Sequence, residues 1–302
     1  WDSQFGRFFG TGPITSHTNV ESYFLYFHTL LWALLPWSVL FIVALFYQDK
    51  TNHKQWIIWG SALLTFTLFS LSNFQLPHYI VILLPHFSIL CAQGLSRITQ
   101  TTCLKWLKNC QLFLFSASIG VIIFLVCFMG IKNIFITVLA VTAGIAILIF
   151  GIRKSYEQKI ILSGYAFAVA FYLFMNLSFY PLLLTYQAGS MAAADMNQWT
   201  KEATIGMFHY NTAFRFNLKN KVTFAPSSQE METFLQQPNA IAFVSQSELH
   251  KIKHLYPQVS ILKEYPDFPV TRLKPIFLNK KSRASCLTNY YLIGMNHAIP
   301  PP

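Results

Sequence analysis

An arginine among aromatic side chains is the first feature of this sequence that could do chemistry. Arg7 is the only basic residue of the polar, glycine-bearing segment 1–21, and Phe5 and Phe8 stand beside it. A guanidinium fork matches phosphate oxygens, and aromatic rings pack against lipid or sugar. Arg7 could therefore bind a phosphate headgroup above a membrane. It could instead pair with a carboxylate such as Asp2 or Glu21, or extend along the membrane surface without a ligand. We expect the segment itself to be an outward-facing loop.

A short uncharged turn carries the second polar cluster. Gln75, His78 and Tyr79 lie around Pro77, between two apolar stretches. Amide, imidazole and phenol groups can hydrogen-bond to sugar hydroxyls and to phosphate oxygens. The same groups could instead satisfy backbone atoms freed by the proline and anchor the turn at the membrane interface. Spacing alone favours this anchoring role over binding.

Signatures of metal binding and catalysis are weak in the rest of the chain. His250 and His254 share one face of a predicted helix, but a metal site needs a third ligand and Glu248 is not placed to supply it. His209 stands alone at the end of a predicted strand, which is typical of a structural histidine. There is no paired-carboxylate signature. We therefore assign no catalytic residue and no metal ligand.

The elements that must position these residues have a membrane composition. Of the 302 residues 54% are hydrophobic and 11% are charged, with a mean hydropathy of +0.41, whereas soluble domains carry about 25% charged residues. A bilayer core about 30 Å thick needs roughly 20 apolar residues per helix. Pro36 is expected to kink the first of six predicted spans. The spans are residues 23–46, 56–71, 79–95, 110–130, 135–152 and 160–184.

The distribution of basic residues predicts the orientation. Eight basic residues lie in alternate loops, against Lys132 alone in the short loops of the opposite side. Because cytoplasmic loops are enriched in lysine and arginine, the N-terminal segment and the C-terminal stretch are both predicted to face outward. The net charge of +11 therefore indicates membrane topology rather than a nucleic-acid partner. The eight residues are Lys50, Lys54, Arg97, Lys105, Lys108, Arg153, Lys154 and Lys159.

The C-terminal stretch alternates predicted strands and helices, which favours a small parallel or mixed sheet. Ser227 with Glu230, and Ser245 with Glu248, form capping boxes that open two helices. The predicted fold is a polytopic α-helical membrane domain of about six transmembrane helices, residues 1–185, followed by a small α/β exported domain, residues 186–302. The predicted strands are residues 203–209, 221–225, 239–244, 259–264 and 289–293.

Three groups of residues along the chain form a recognisable pattern. The first is Phe5-Gly6-Arg7-Phe8, Gly12-Pro13, Tyr23-Phe24 and Leu34-Leu35-Pro36-Trp37; the second is Leu76-Pro77-His78-Tyr79-Ile80 and Leu83-Leu84-Pro85; the third is Pro181 and Tyr186-Gln187. These groups resemble bacterial membrane glycosyltransferases of the dolichyl-phosphate-mannose protein mannosyltransferase and aminoarabinose transferase type. The first two groups are moderately specific, the third is weaker, and together they follow the family's order along nearly the whole chain.

The resemblance implies the C-type glycosyltransferase fold, with an active site at the outer face of a bacterial inner membrane and a periplasmic C-terminal domain. Such enzymes move a sugar from a polyprenyl-phosphate donor to a lipid, glycan or protein acceptor, as in protein glycosylation and lipopolysaccharide modification of the cell envelope. Membrane lipids are further partners, and nucleic acid is not. The resemblance assigns Arg7 to the donor phosphate and places His17, Gln75, His78 and Tyr79 around the outer cavity.

Departures from the family pattern bear on the chemistry. Ser3 and Gln4 stand where the family often has Glu-His, and Gln75 replaces a lysine. A metal role for the N-terminal loop therefore lacks its ligands, the cofactor stays unknown with a divalent metal still open, and Arg7 must bear more of the phosphate contact. The family's acidic catalytic residue lies in its N-terminal half. Since this chain resembles the C-terminal half, we expect a fragment that is inactive alone.

Two other functions stay open at this point. One is a non-enzymatic membrane scaffold or assembly subunit whose exported domain binds a partner, and the other is a transporter of a polyprenyl-linked glycan. Proton-coupled transport usually needs an acidic residue within the membrane, and the six predicted spans contain none. The enzyme, unlike the scaffold, requires an outward loop with an acidic residue upstream of Trp1.

Overall fold

The structure, a computed structural model, describes residues 2–9, 24–49, 51, 53–73, 75–199, 204–225, 227–270 and 273–295. It divides into two compact units. The first unit comprises Trp1–Val121 and Val138–Leu173, and the second comprises Ile122–Thr137 and Phe174–Pro302.

Helices make up the described chain as far as residue 184. A 3-10 helix at Pro77–Leu83 leads into the fifth helix, and a π-helical turn at Met175–Phe179 joins the eighth helix to the ninth. The α-helices are α1 Asp2–Phe9, α2 Leu25–Ala33, α3 Ser38–Leu45, α4 His53–Leu71, α5 Leu84–Arg97, α6 Thr101–Met129, α7 Ile134–Phe150, α8 Tyr156–Phe174 and α9 Tyr180–Leu184.

Not every predicted span is long enough to cross a bilayer as a straight helix. Length and composition qualify three continuous helical segments within the described ranges, Pro77–Arg97, Thr101–Met129 and Tyr156–Leu184, and a fourth if α2 and α3 count as one span. The apolar parts of α4 and α7 are shorter. The 17 residues of α7 extend only about 26 Å at 1.5 Å per residue. The count of six spans is therefore not confirmed, although the described part of each predicted stretch is mainly helical.

The kink predicted at Pro36 is confirmed, and it is a sharp one. The axes of α2 and α3 differ by 112°, and the Leu35–Pro36 peptide bond is cis. A break in an apolar helix leaves carbonyl groups without partners, which is costly where water is excluded. Here Ser38 Oγ donates to the Leu31 carbonyl at 2.5 Å, and Gln111 Nε2 of α6 donates to the Pro36 carbonyl at 3.0 Å.

Small residues allow the helices of the first unit to pack closely. A Cβ atom on Gly94 of α5 would overlap Ala44 of α3. A Cβ atom on Gly144 of α7 would lie 2.9 Å from the Ala166 carbonyl oxygen of α8 and 2.9 Å from the Phe115 ring of α6. Backbones can approach this closely only where the side chain is missing or small. The clustering of small residues in these helices, visible in the sequence, thus corresponds to their contacts.

The second unit contains a five-stranded mixed sheet in the order β2-β1-β3-β5-β4. The first three of these are parallel neighbours, and β5 runs antiparallel to both β3 and β4. All five strands predicted from the sequence are therefore confirmed. The elements are α10 Ala188–Trp199, β1 Thr204–Met207, α11 Thr212–Asn217, β2 Val222–Phe224, α12 Ser228–Leu235, β3 Ala240–Ser245, α13 Gln246–Leu255, β4 Val259–Asp267, α14 Pro275–Leu278 and β5 Thr288–Met295.

The sheet has an apolar cluster on each face. Alternate residues of β3, such as Ile241 and Phe243, pack with α10 and α11, while Ala242 and Val244 pack with α12 and α13. Because side chains alternate along a strand, a strand covered on both faces must be apolar throughout, as β3 is. Both predicted capping boxes are present at the starts of α12 and α13.

Candidate functional site

The N-terminal segment that carries Arg7 is helical in its described part, so the loop predicted there is wrong for residues 2–9. The phenylalanines at positions 5, 8 and 9 recur at helical spacing and give α1 an apolar side. The Phe8 carbonyl accepts a hydrogen bond of 3.0 Å from the Asn73 N–H. This bond brings the backbone of α1 beside the connection between α4 and α5. His17 lies outside the described residues.

Tyr26 of α2 holds that connection from the inside. Its side chain is 1% exposed, and its hydroxyl donates to the Leu76 carbonyl and accepts from the Leu76 N–H, both at 3.1 Å. Its ring lies 6.2 Å from the Phe69 ring of α4. A buried hydroxyl that satisfies both backbone groups of one residue fixes that residue in place. Sequence analysis missed Tyr26.

We call residues Gln75–Tyr79 the polar turn. His78 is exposed, and its ring stands nearly perpendicular to the Tyr79 ring, with centroids 4.8 Å apart. Tyr79 is half-buried, with its ring 5.7 Å from the Phe69 ring. The polar turn thus carries an imidazole and a phenol side by side, and Tyr26 holds its backbone in place.

As far as the structure describes the chain, the side-chain amide of Gln75 forms a hydrogen bond through its nitrogen but not through its oxygen. Its Nε2 donates to the Ser70 carbonyl at 2.8 Å, whereas its buried Oε1 has no hydrogen-bond partner among the described residues. Buried amide oxygens are normally paired, so an unpaired one indicates a group that a ligand or a water could satisfy. Sequence analysis named Gln75 as a member of the polar cluster around Pro77, and the unpaired oxygen adds an independent reason.

The second unit places an acid beside a histidine that the sequence led us to regard as structural. His209 Nδ1 contacts the carboxylate of Glu248; the histidine side chain is exposed and the glutamate is buried. His209 follows the carboxyl end of β1, and Glu248 follows that of the parallel neighbour β3. The position of both residues after the carboxyl ends of parallel strands, at one edge of the sheet, was the signal in the sequence that could have paired them. A carboxylate-oriented imidazole is suited to proton exchange. His250 and His254 are exposed, as expected for a solvated face.

Asp195 connects α10 to β4 on the same sheet. Its carboxylate accepts from Lys263 Nζ at 2.6 Å and from the Tyr265 hydroxyl at 2.7 Å. Burial raises the pKa of Tyr265 well above its usual value, and the hydrogen bond to Asp195 adds to the increase. Tyr265 therefore remains a hydrogen-bond donor at every physiological pH, which gives the group a structural role.

Arg283 is a buried cation that sequence analysis also missed. It is 6% exposed, and three of its nitrogens donate to the Phe277 carbonyl at 2.9 Å, the Tyr186 hydroxyl at 3.0 Å and the Met129 carbonyl at 3.0 Å. Met129 is the last residue of α6. A cation at the C-terminal end of a helix satisfies unpaired carbonyls and complements the helix dipole. The nearby Lys280 N–H donates to the Phe128 carbonyl at 2.9 Å.

Within the ranges that the structure describes, no three histidine, cysteine, aspartate or glutamate side chains are grouped so as to hold a metal ion. The apolar helices and the small mixed sheet together define a helical membrane protein with a sheet-bearing C-terminal unit.

Comparison with solved structures relates this architecture to a known fold. The crystal structure of ArnT from Cupriavidus metallidurans bound to undecaprenyl phosphate is similar at a TM-score of 0.60 and 14% identity, over 98% of this chain and 55% of that one. The apo state of the same protein gives 0.57 and 14%, over 91% and 53%. This chain therefore has an ArnT-like fold over most of its length. It spans about half the length of those structures. No protein family and no curated protein sequence matches it.

Proposed function

We propose that this chain belongs to a membrane glycosyltransferase that moves a sugar from a polyprenyl-phosphate donor to a lipid, glycan or protein acceptor. The reaction would take place at the outer face of a bacterial inner membrane, with residues 1–185 in the membrane and residues 186–302 in the periplasm. The observation that carries the proposal is the ArnT-like fold over 98% of the chain, since that ArnT structure is bound to undecaprenyl phosphate.

The polar end of the donor would meet α1 and the polar turn. Arg7 would neutralise the phosphate, because its fork of donors suits phosphate oxygens better than a lysine does. His78 and Tyr79 would donate hydrogen bonds to the phosphate or to the sugar. Gln75 would accept from a sugar hydroxyl through its Oε1, since its Nε2 is already used. His17 would complete the cavity lining.

The isoprenoid tail would need an apolar groove, and a cavity of the first unit would hold one part of it. A cavity of about 240 Å³ lies between the α2–α3 break, α5 and α8. Its wall is mostly aliphatic, with the Trp37 and Tyr165 rings in edge-to-face contact. Apolar walls of this kind bury a hydrocarbon chain at a gain of roughly 25 cal/mol per Å². Residues of the wall include Leu34, Trp37, Leu40, Leu95, Ile161 and Tyr165.

Photo-crosslinking tests the donor assignment directly. The full-length protein in detergent is incubated with a polyprenyl phosphate that carries a benzophenone in its tail, and labelling is competed with undecaprenyl phosphate or with uncharged undecaprenol. We expect the phosphate to compete at a concentration about tenfold or more below that of the alcohol, because charge-assisted hydrogen bonds contribute about 1.5–3 kcal/mol. Equal competition by the two lipids would contradict phosphate recognition.

Matched variants separate the site from general charge effects. Arg7→Gln should remove the preference for the phosphate, whereas Lys219→Gln, which removes the same charge from an exposed residue of the second unit, should preserve it. Transfer of radiolabelled sugar from the lipid is then measured with both variants. Binding without transfer by the unmodified full-length protein would favour the transporter or the scaffold over the enzyme. Unchanged binding and transfer in Arg7→Gln would reject the role of Arg7.

A further inference from the structure

A second cavity of the first unit lies away from the polar turn, where α6, α7 and α8 meet at the ends that carry basic loops. Its volume is about 340 Å³. Lys108 lies in the second turn of α6, Gly151 and Ile152 directly follow α7, and Lys159 lies in the first turn of α8. All three helix ends are therefore at the same level of the first unit. The cavity is lined by Lys108, Leu112, Leu148, Ile152, Lys159 and Leu162, together with Gly151 and Ser163.

The two parts of this lining differ in chemistry. Four aliphatic side chains form a wall, and two half-buried lysines, Lys108 and Lys159, stand at its rim. In the described part of the chain neither lysine takes part in an ion pair. Two cations above an apolar groove match a molecule that has a negative head and a hydrocarbon tail.

The surroundings of the cavity strengthen its positive charge. Lys105 of α6 and Lys159 of α8 lie over the same ring, that of Tyr156, at 6.0 and 5.6 Å from its centroid. Cations from two helices are therefore gathered at one aromatic residue. Arg153 and Lys154 follow in the α7–α8 loop. Between Asp49 and Asp195 the sequence has a single acidic residue, Glu157, so the positive charge is barely compensated.

We propose that this groove binds an anionic glycerophospholipid, with the headgroup phosphate between Lys108 and Lys159 and an acyl chain along the aliphatic wall. The charge of the rim selects the anionic headgroup, and the wall selects a lipid over a soluble anion. This site is separate from the polar turn and does not depend on sugar transfer. The bound lipid would anchor these ends of α6, α7 and α8 in the membrane leaflet that the basic loops face.

Native mass spectrometry of the full-length protein in detergent micelles tests the proposal. The protein is mixed with equal amounts of phosphatidylglycerol and phosphatidylcholine that have the same acyl chains, and the bound lipid is counted. A second sample, which already contains bound phosphatidylglycerol, receives an excess of glycerol 3-phosphate. We expect retention of phosphatidylglycerol in clear excess and no retention of glycerol 3-phosphate. Equal retention of the two lipids, or glycerol 3-phosphate displacing phosphatidylglycerol, would overturn the proposal.

Two variants and one control locate the site. Lys108→Gln with Lys159→Gln should weaken phosphatidylglycerol binding by about tenfold or more, since each lysine near an anionic surface contributes about fivefold. Leu112→Trp keeps both lysines, fills the groove from its half-exposed wall and should weaken binding as well. The control, Lys219→Gln with Lys253→Gln, removes two exposed charges from the second unit and should bind normally. Normal binding by the double lysine variant of the groove would refute the assignment.

Discussion

The hydroxyl group of Tyr26 hydrogen-bonds to both backbone groups of Leu76. A residue of α2 therefore fixes the position of the polar turn. The Leu76 carbonyl also accepts the Tyr79 N–H at 3.0 Å, as the first bond of the 3-10 helix, whereas the Leu76 N–H donates to the phenol oxygen. His78 and Tyr79 follow within one turn of 3-10 helix that starts at Pro77. A ligand at these side chains would therefore depend on a tyrosine that does not contact it.

Replacing Tyr26 by phenylalanine tests this dependence. The change keeps the ring against Phe69 but removes the acceptor of the half-buried Leu76 N–H, and leaving such a group without a partner costs about 1–3 kcal/mol. We expect a lower unfolding temperature in detergent and weaker competition by undecaprenyl phosphate in the crosslinking assay. Tyr210→Phe, at an exposed residue, serves as the control. An unchanged affinity in Tyr26→Phe, together with an unchanged unfolding temperature, would rule out the positioning role.

Asp267 gives the second unit a defined dependence on pH. Burial raises its pKa above the ordinary value of 3.8, and the Ala188 N–H, which donates to its Oδ1 at 2.9 Å, lowers it by less. The folded state therefore binds this proton more tightly than the unfolded chain does. The contribution of this group to stability is present in full at low pH and is lost as the pH rises through the raised pKa.

The variant Asp267→Asn mimics the protonated form at every pH and can still accept from Ala188. We expect it to unfold at a higher temperature than the original protein at neutral pH. The difference should shrink as the pH falls through the raised pKa towards 3.8. The measurement is the unfolding temperature of both proteins across that range. A difference that stays constant on acidification would show that Asp267 does not titrate as its burial implies.

The residues of the candidate site were predictable only where the signal is local. Gln75, His78 and Tyr79 lie within five positions around a proline, so the motif itself reveals them. Tyr26 acts on a residue 50 positions away, and no periodicity relates the two. The orphaned oxygen of Gln75 likewise depends on the packing around it. Sequence reasoning therefore finds the groups that would touch a ligand more readily than those that hold them.

Helix ends show the same contrast at the scale of elements. Ser227 and Ser245 cap their helices through partners three residues ahead, and both caps were predicted because the S-x-x-E pattern contains every atom needed. The C-terminal end of α6 is capped instead by Arg283, which is 154 positions from Met129. The length of α7 is a further case, because apolar composition does not fix where a helix starts and stops.

Arg283→Lys tests the cap of α6. Lysine keeps the charge but cannot reach three acceptors in a planar fork. Hydrogen bonds to charged groups contribute about 1.5–3 kcal/mol each, so we expect the unfolding temperature of the second unit to fall by several degrees. Hydrogen exchange should also speed up in the peptide that contains Met129 and Gly130. Arg215→Lys is the control, since Arg215 is exposed. Equal behaviour of the two variants would show that the fork contributes nothing to the helix end.

At the scale of the whole molecule, the distributions of charge and of hydropathy along the chain predict the same membrane topology. The eight basic residues lie in alternate loops between the apolar stretches, and the short loops of the opposite side hold only Lys132. Such an asymmetry of lysine and arginine orients a protein in its membrane. The sequence therefore predicted the apolar helices and the βα order of the C-terminal stretch, both of which the structure contains, whereas the count of six spans is not confirmed. The side of the membrane on which each loop lies stays a prediction.

Cysteine accessibility tests that orientation. The five native cysteines are replaced, and Lys154→Cys or Lys219→Cys is introduced singly, both at exposed positions. A membrane-impermeant maleimide is added to cells whose outer membrane alone has been made permeable. We expect labelling at position 219, because the C-terminal stretch should be periplasmic, and none at position 154 until the inner membrane is also opened, because basic loops stay in the cytoplasm. Labelling of both positions after full permeabilisation is the control for reactivity. If position 154 were labelled first and position 219 only after the inner membrane is opened, the C-terminal stretch would lie in the cytoplasm. It would then be away from any donor sugar presented at the outer face.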